Sequence, residues 1–373
     1  MKIITLMCIF LFLIYFIFTV VNTYQPFKID EEVTLSKFNE MFNSSIVHLP
    51  LRTLIAVGFK NNILYIYNKP DIISDSYISF KNYFIDEILP NIKKISFYFV
   101  VCLSDGYMDG NKFSSNLMTP YYPSNQEFYG VYSIKLIDHT KYPIFHKNKI
   151  IFTYCKYITD PNSILIPDKY FISTSKNNIN NHFNIQFPEW NGYKDLFKMV
   201  DNNRLDFNEK KSLCVWRGNT KNGYNSNFFK PEGKNGMNQR MYFVYFYNKG
   251  AFQNIDYSDS YMSISNQMKY KYILSIDGWS NQWDATAWKL YSGSVLLKVK
   301  SVWEQWFYPD FKEWVHYVPI ENDFSDLNEK IEWCINNDKK CKEIAENARQ
   351  FAITTYNWEN AKNYTIDAFN KYL

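Results

Sequence analysis

The chain has 373 residues, enough for one two-lobed enzyme or two ordinary domains with real cores. Its 41 Lys and Arg stand against 37 Asp and Glu, a net charge of +4 with no basic block, which excludes a nucleic-acid footprint. Aromatic residues reach 19%, but Asn, Lys and Ile are abundant with them, so the aromatic content reflects compositional bias and does not by itself mark a ligand site.

The first element is apolar. Ile3 to Asn22 carries no charge, and the nineteen residues Ile3–Val21 would span roughly 28 Å as a helix. A bilayer's hydrocarbon core is about 30 Å. Val20-Val21-Asn22-Thr23-Tyr24 makes a weak cleavage site, with Lys2 before the run and Asp30, Glu31 and Glu32 after it. The expectation is an uncleaved signal-anchor over residues 1–22, a cleaved signal being the alternative. The membrane would be engaged through residues 3–21, giving a single-pass type II protein with its bulk luminal (ER or Golgi) or extracytoplasmic. Residues 23–45 read as a polar stem.

From 46 to 200 short apolar runs alternate with turns, the pattern of an αβ lobe. Leu54–Val57 and Ile63–Tyr67 predict a hairpin around Asn61-Asn62, and Asp75–Leu89 has helical spacing. Ile95–Leu103 predicts a buried strand ending at Ser104-Asp105-Gly106. The Asn-rich stretch 176–191 marks a lobe boundary.

The second lobe, 201–373, opens with the strand Leu213–Trp216 running into Arg217-Gly218-Asn219-Thr220, then a loop and a helix over Gln239–Lys249. Tyr272–Ile276, the Asp277-Gly278 turn, a helix ending at Tyr291, Ser292-Gly293-Ser294 and Val295–Val299 spell one βαβ unit. Two helices, Ile344–Thr354 and Trp358–Leu373, follow. Two lobes facing a cleft is the simplest architecture.

Of six cysteines, Cys8 sits in the apolar run, and no Cys-x-x-Cys occurs. Cys102, Cys155 and Cys214 read as buried small hydrophobes. Cys334 and Cys341 could pair across a helix break, whereas one continuous helix would hold them roughly 10 Å apart. Asn43-Ser44-Ser45 and Asn363-Tyr364-Thr365 have the form of glycosylation acceptors. There is no Asp-x-Asp, Gly-x-Gly-x-x-Gly, Walker A, Gly-x-Ser-x-Gly or His-x-x-His.

The stretch from Lys271 to Pro319 resembles the CAP10 family. These are the protein O-glucosyl/O-xylosyltransferases and capsule or lipopolysaccharide-modifying proteins of glycosyltransferase family 90. The resemblance rests on Asp277-Gly278, Trp288-Lys289-Leu290, Ser292-Gly293-Ser294 before Val-Leu-Leu-Lys, Phe307-Tyr308-Pro309, and Trp314-Val315-His316-Tyr317-Val318-Pro319. It extends over roughly Phe97 to Leu373, most fully from Leu213 onward. It implies an α/β, GT-B-type enzyme, two Rossmann-like lobes preceded by the transmembrane helix. The C-terminal lobe would hold UDP-glucose or UDP-xylose; the other would present a protein or glycan acceptor. The reaction implied is inverting and metal-independent, without a cofactor. The alternative is an inactive nucleotide- or glycan-binding membrane protein of the same fold.

On this resemblance the base is Asp105, with Asp109 in reserve; a carboxylate is needed to take the acceptor hydroxyl's proton. The family's Arg-Asp-x-Pro flanks are replaced here by Ser104 and Gly106. Trp216-Arg217-Gly218 is similar to the family's strand-exit motif, which makes Arg217 and Gly218 donor-binding, since a guanidinium fork and exposed amides suit a diphosphate. Thr220 and Lys221 stand where the family has a second Arg. The loop Asp277, Gly278, Trp279, Ser280, Asn281, Gln282, Trp283, Asp284 corresponds to the diphosphate-wrapping loop but lacks its Arg. Arg240 or Lys289 would supply the missing charge, Lys289 otherwise being solvated on its helix. Asp168, Tyr170 and Phe171, in Ile-Pro-Asp-Lys-Tyr-Phe, correspond to the acceptor side. His316 is assigned a structural role.

Overall fold

The computed structural model describes residues 28–30, 33–44, 54–67, 80–103, 108–109, 136–137, 151–158, 163–168, 171, 192–220, 228–278 and 280–373. The N-terminal apolar run, Asp105, Lys221, Tyr170 and Trp279 lie outside the described residues. Among the described residues no helix is long and apolar enough to cross a membrane.

The N-terminal half begins with β1 (Lys28–Asp30), α1 (Leu35–Phe42), β2 (Leu54–Lys60) and β3 (Ile63–Tyr67). β2 and β3 form the expected hairpin, and its two turn residues, Asn61 and Asn62, both have positive φ (52° and 60°). A two-residue hairpin turn of matching twist requires that conformation, which Asn tolerates. The helical stretch from Phe80 passes through a π-helical segment (Phe84–Ile88) and ends in a 3-10 turn (Leu89–Asn91) that holds Pro90. β4 (Ser96–Cys102), β5 (Met108–Asp109), β6 (Leu136–Ile137), β7 (Ile151–Thr153), β8 (Lys156–Tyr157) and β9 (Ser163–Leu165) follow. Six strands make one sheet in the order β1-β3-β2-β4-β7-β9. β2 runs antiparallel to both β3 and β4, so this sheet is mixed. At β2 it departs from an all-parallel Rossmann pattern, because the short Asn-Asn turn brings β3 back beside β2, while β4, β7 and β9 keep parallel pairing.

Helix α1 lies across this sheet with its Phe42 ring against Gly58; a Cβ added there would sit 2.3 Å from ring carbons. Gly58→Ala is therefore expected to lower stability by about 1–3 kcal/mol, the range for overpacking a filled core. Urea unfolding measures it, and an unchanged midpoint would mean that α1 does not pack as described.

Helix α2 (Gly192–Asn203) leads to the second sheet: β10 (Lys211–Trp216), α3 (Gln239–Tyr247), β11 (Ile255–Tyr257), α4 (Ile264–Gln267), β12 (Tyr270–Ser275), α5 (Trp283–Tyr291), β13 (Val295–Val299), β14 (Trp303–Glu304), β15 (Val318–Ile320), α6 (Leu327–Asn336), α7 (Asp338–Thr355) and α8 (Trp358–Tyr372). Its five strands, in the order β11-β10-β12-β13-β15, are all parallel. Every residue of β12 and β13 is buried, as expected when helices cover both faces. Alternate residues face different layers. Tyr272, Leu274, Val295 and Leu297 join α3, α6 and the start of α7, while Ile273 and Leu296 join α5 and the larger core. Gly293, at φ 71°, ends α5, and Lys210 Nζ donates to the carbonyls of Met268 and Ser292 beside it.

Among the described residues several contacts join the halves. β8 pairs antiparallel with β14. Helix α8 packs on the N-terminal sheet: Phe369 stacks on Phe152 at 4.0 Å and meets Phe99 edge-on at 4.8 Å. Tyr83 donates to Thr365 Oγ1 at 3.1 Å. The hydroxyl of the Asn363-Tyr364-Thr365 triplet is thus buried inside a helix.

The cysteines separate by prediction. Cys102, Cys155 and Cys214 are buried, as read from their strands. Cys334 and Cys341 do flank a break, at Asn337, and both are buried free thiols in this structure.

Candidate functional site

In the parallel sheet the chain leaves β10 for β11, on one side, and returns to β12 on the other. The direction of winding reverses between β10 and β12, and open α/β sheets bind ligands at the carboxyl ends of such strands. Two loops meet there, one after Trp216 and one after Ser275.

Arg240 ties them together. It stands in the first turn of α3, a helix capped by the Asn238 side chain, which accepts from Met241 N–H. Its Nε–H donates to the carbonyls of Ile276 (3.2 Å) and Asp277 (3.1 Å), and Nη1 donates to Asn219 O at 3.1 Å. A Cβ on Gly278 would come within 3.2 Å of the guanidinium, so glycine is what allows this approach.

Arg217 is held differently. Its Nη1 donates to Trp216 O and Asp256 O, and Nη2 pairs with the Asp256 carboxylate on β11. Its buried Nε–H has no acceptor among the described residues. Trp216 Nε1, Ser280 Oγ and both Asp277 oxygens are likewise buried and without hydrogen bonds there. Buried polar groups are nearly always paired, so these unsatisfied groups at one strand edge are candidates for ligand contact.

The charges point the same way. Lys289 is not solvated: its side chain runs back along α5, is 4% exposed, and donates to Gln282 Oε1 and Leu274 O. Burial, then the Arg240 charge, lowers its pKa to about 7. Burial also lowers Arg240 to about 10. Lys298, on β13, is buried with Nζ 3.6 Å from Asp277 Oδ2 and lies over the Tyr308 ring. With Arg217 neutralised by Asp256, the cations Arg240 and Lys298 and the buried amine of Lys289 gather around Asp277. The first turn of α5, whose N-cap Gln282 makes no side-chain capping bond, adds the partial positive end of a helix. Such a set of donors is able to hold a phosphate-like anion, against the opposing charge of the Asp277 carboxylate.

Other residues named from the sequence build the loop instead. Asn281 donates to Cys155 Sγ at 3.3 Å and accepts from Tyr308 at 2.7 Å, which moors the loop to the other half of the molecule. Gln282 links Ser275, Ile276 and Lys289. Trp283 is buried at φ 38° in the large core. Thr220 contributes its carbonyl to Asn238, and Asp284 occupies the first turn of α5. Asp168 is fully buried between the halves, where Tyr193 donates to both its oxygens at 3.2 Å, and Phe171 stacks on Tyr356. His316 is structural, as assigned: its Nδ1 accepts from Lys312 N–H and its ring stacks on Phe351. Lys298 and Asp256 were not singled out from the sequence. The signal available for Lys298 was a lysine inside an otherwise apolar five-residue strand.

A family model described as Glycosyl transferase family 90 matches residues 134–373, well over half of the chain. The chain belongs to that family. This family-90 chain is 41% identical over 105 residues to the uncharacterized protein 179R of Invertebrate iridescent virus 6, covering 26% of this chain and 9% of that protein. It is 35% identical over 112 residues to protein O-glucosyltransferase 2 of Danio rerio, covering 30% of this chain and 22% of that one. It therefore spans under a quarter of either relative. Among solved structures it is similar to a glycosyltransferase from Rickettsia africae, at TM-score 0.35 and 12% identity over 66% of this chain and 69% of that one.

The buried lysines give a test. Lys289 and Lys210 both have pKa values of about 7, Lys210 through burial and the nearby Arg204 charge. Free lysine titrates near 10.4, so above pH ~7 the unfolded chain holds protons that the folded chain has shed. Stability must then rise with pH. Thiols in the unfolded chain begin to ionise near 8.5, which bounds the window. Urea midpoints are expected to rise from pH 7 to 8.5, and less steeply in Lys289→Met. Equal slopes in the two proteins would refute a neutral buried Lys289.

Proposed function

We propose that this chain is a glycosyltransferase of GT-B type that moves glucose or xylose from a UDP-sugar to a hydroxyl of a protein or glycan. The observation that carries the reading is the group of orphaned buried donors and cations at the β10–β12 edge. A family whose named members include protein O-glucosyltransferases supplies the sugar chemistry. In this reading Asp105 takes the acceptor hydroxyl's proton as its oxygen attacks the anomeric carbon from the face opposite UDP, which inverts the centre. Negative charge grows on the departing diphosphate, and Arg240, Lys289, Lys298 and the α5 N-terminus are fixed in advance to receive it. Arg217 offers its Nε–H. The amides after Arg217 and Asp277, with Lys221 and Trp279, complete the donor contacts, and Asp168, Tyr170 and Phe171 belong to the acceptor side, Asp168 and Phe171 bracing it from buried positions. No metal takes part, and the N-terminal apolar run anchors the protein in a secretory or surface membrane.

A second reading, a binding protein without turnover, is favoured by the altered flanks of Asp105 and the donor loop's missing Arg. Thermal-shift titration of the full chain in detergent with UDP, with and without EDTA, tests both. Ligand at ~100 times its dissociation constant should add about 2.7 kcal/mol. A saturable shift that survives EDTA is expected. Transfer or donor hydrolysis that is lost in Asp105→Asn would select the enzyme; a shift without turnover across donors would select the binder. No shift in folded protein would end both.

A further inference from the structure

Cys334 lies in the last turn of α6 and Cys341 in the first turn of α7, and Asn337 between them leaves helical geometry at φ −124°, ψ 48°. Across the kink Cys341 Sγ–H donates to Cys334 O at 3.4 Å. Both side chains are fully buried in one cluster with Tyr272 and Cys214. A hydrogen bond between the two thiols, then burial, holds the Cys334 pKa above the ordinary thiol range. An unbroken helix would keep residues seven apart roughly 10 Å from each other along its axis, so the joint is what brings these sulfurs together.

We propose that Cys334 and Cys341 are a disulfide-forming pair, a redox staple across the α6–α7 joint. The oxidant is a small-molecule or protein disulfide of the glutathione class. One cysteine thiolate attacks it and releases one thiol, leaving a mixed disulfide on the chain. The second thiolate then attacks the chain sulfur and releases the other thiol. Two hydrogens and two electrons pass from the pair to the oxidant, and the chain gains one S–S bond. Because both thiols are buried once folded, the exchange takes place while α6 and α7 dock. The staple would fix the helix pair to the back of the parallel sheet, where α6 meets β15 and α7 meets β13 and α5.

The test is refolding of the full chain in oxidised or reduced glutathione, followed by alkylation and tryptic mapping without reductant. Lys339 and Lys340 place the two cysteines on separate peptides. In oxidised buffer these peptides are expected to join, with a mass about 2 Da below their sum. The unfolding midpoint should rise by a few degrees, on the order of 2–5 °C. Cys334→Ser should abolish both changes while leaving the reduced midpoint close to that of the parent. Full alkylation of both cysteines after oxidative refolding would overturn the proposal, as would a link from either one to Cys214.

Discussion

Arg240→Ala is expected to weaken UDP binding by roughly 100-fold, about 2.7 kcal/mol. The guanidinium does two things at once. It supplies a forked cation at the strand edge, and it holds the loop after β10 to the loop after β12 through Asn219, Ile276 and Asp277. Hydrogen bonds from a charged group contribute about 1.5–3 kcal/mol, and here the bonded carbonyls would be left without their donor. Arg240→Lys should fall between the two, because an ammonium keeps the charge but not the fork that spans both loops. Titration calorimetry reads the affinity and circular dichroism the folding. Folded Arg240→Ala protein that bound UDP like its parent would move the anion site elsewhere.

The second large effect concerns the joint between the halves. Phe369→Ala should cost about 3–5 kcal/mol, the range for emptying a buried aromatic site. Phe369 is fully buried against Phe84, Phe99 and Phe152, three rings of the N-terminal half. The loss should be local at first. Hydrogen exchange is expected to speed up in β4 and β7 while β12 and β13 stay protected. Uniform loss of protection would show that the two halves open as one unit.

Much of the C-terminal half was legible because its strands are continuous apolar runs bounded by turn residues. Val295–Val299 appears with the boundaries read from sequence, and β10 and β12 shift by only two residues. The hairpin of β2 and β3 around Asn61-Asn62 was legible for the same local reason. Strand order was not. Nothing in the apolar pattern of β4 says that it runs antiparallel to β2 and parallel to β7. At the site, Arg217 and the 277–284 loop stood out because they follow strands, and Arg240 as a charge able to replace the loop's missing Arg. Lys289 was only half read. On a helix, a lysine's spacing fits a wet face and a buried one equally well, and what buries it is the Gln282 turn packed above. Lys298 is hidden in the sequence by the apolar neighbours that define its strand.

The placement of α8 also bears on the order in which the molecule can form during synthesis. β4 and β7 leave the ribosome well before Phe369, the side chain that covers their inner face. The parallel sheet, by contrast, has its own layers on both faces by the time α7 emerges. The half made first is thus expected to finish last, with its aromatic face open to chaperones until α8 arrives. Arrest of translation before Trp358 should accordingly yield a nascent chain whose C-terminal half resists protease and whose N-terminal half does not.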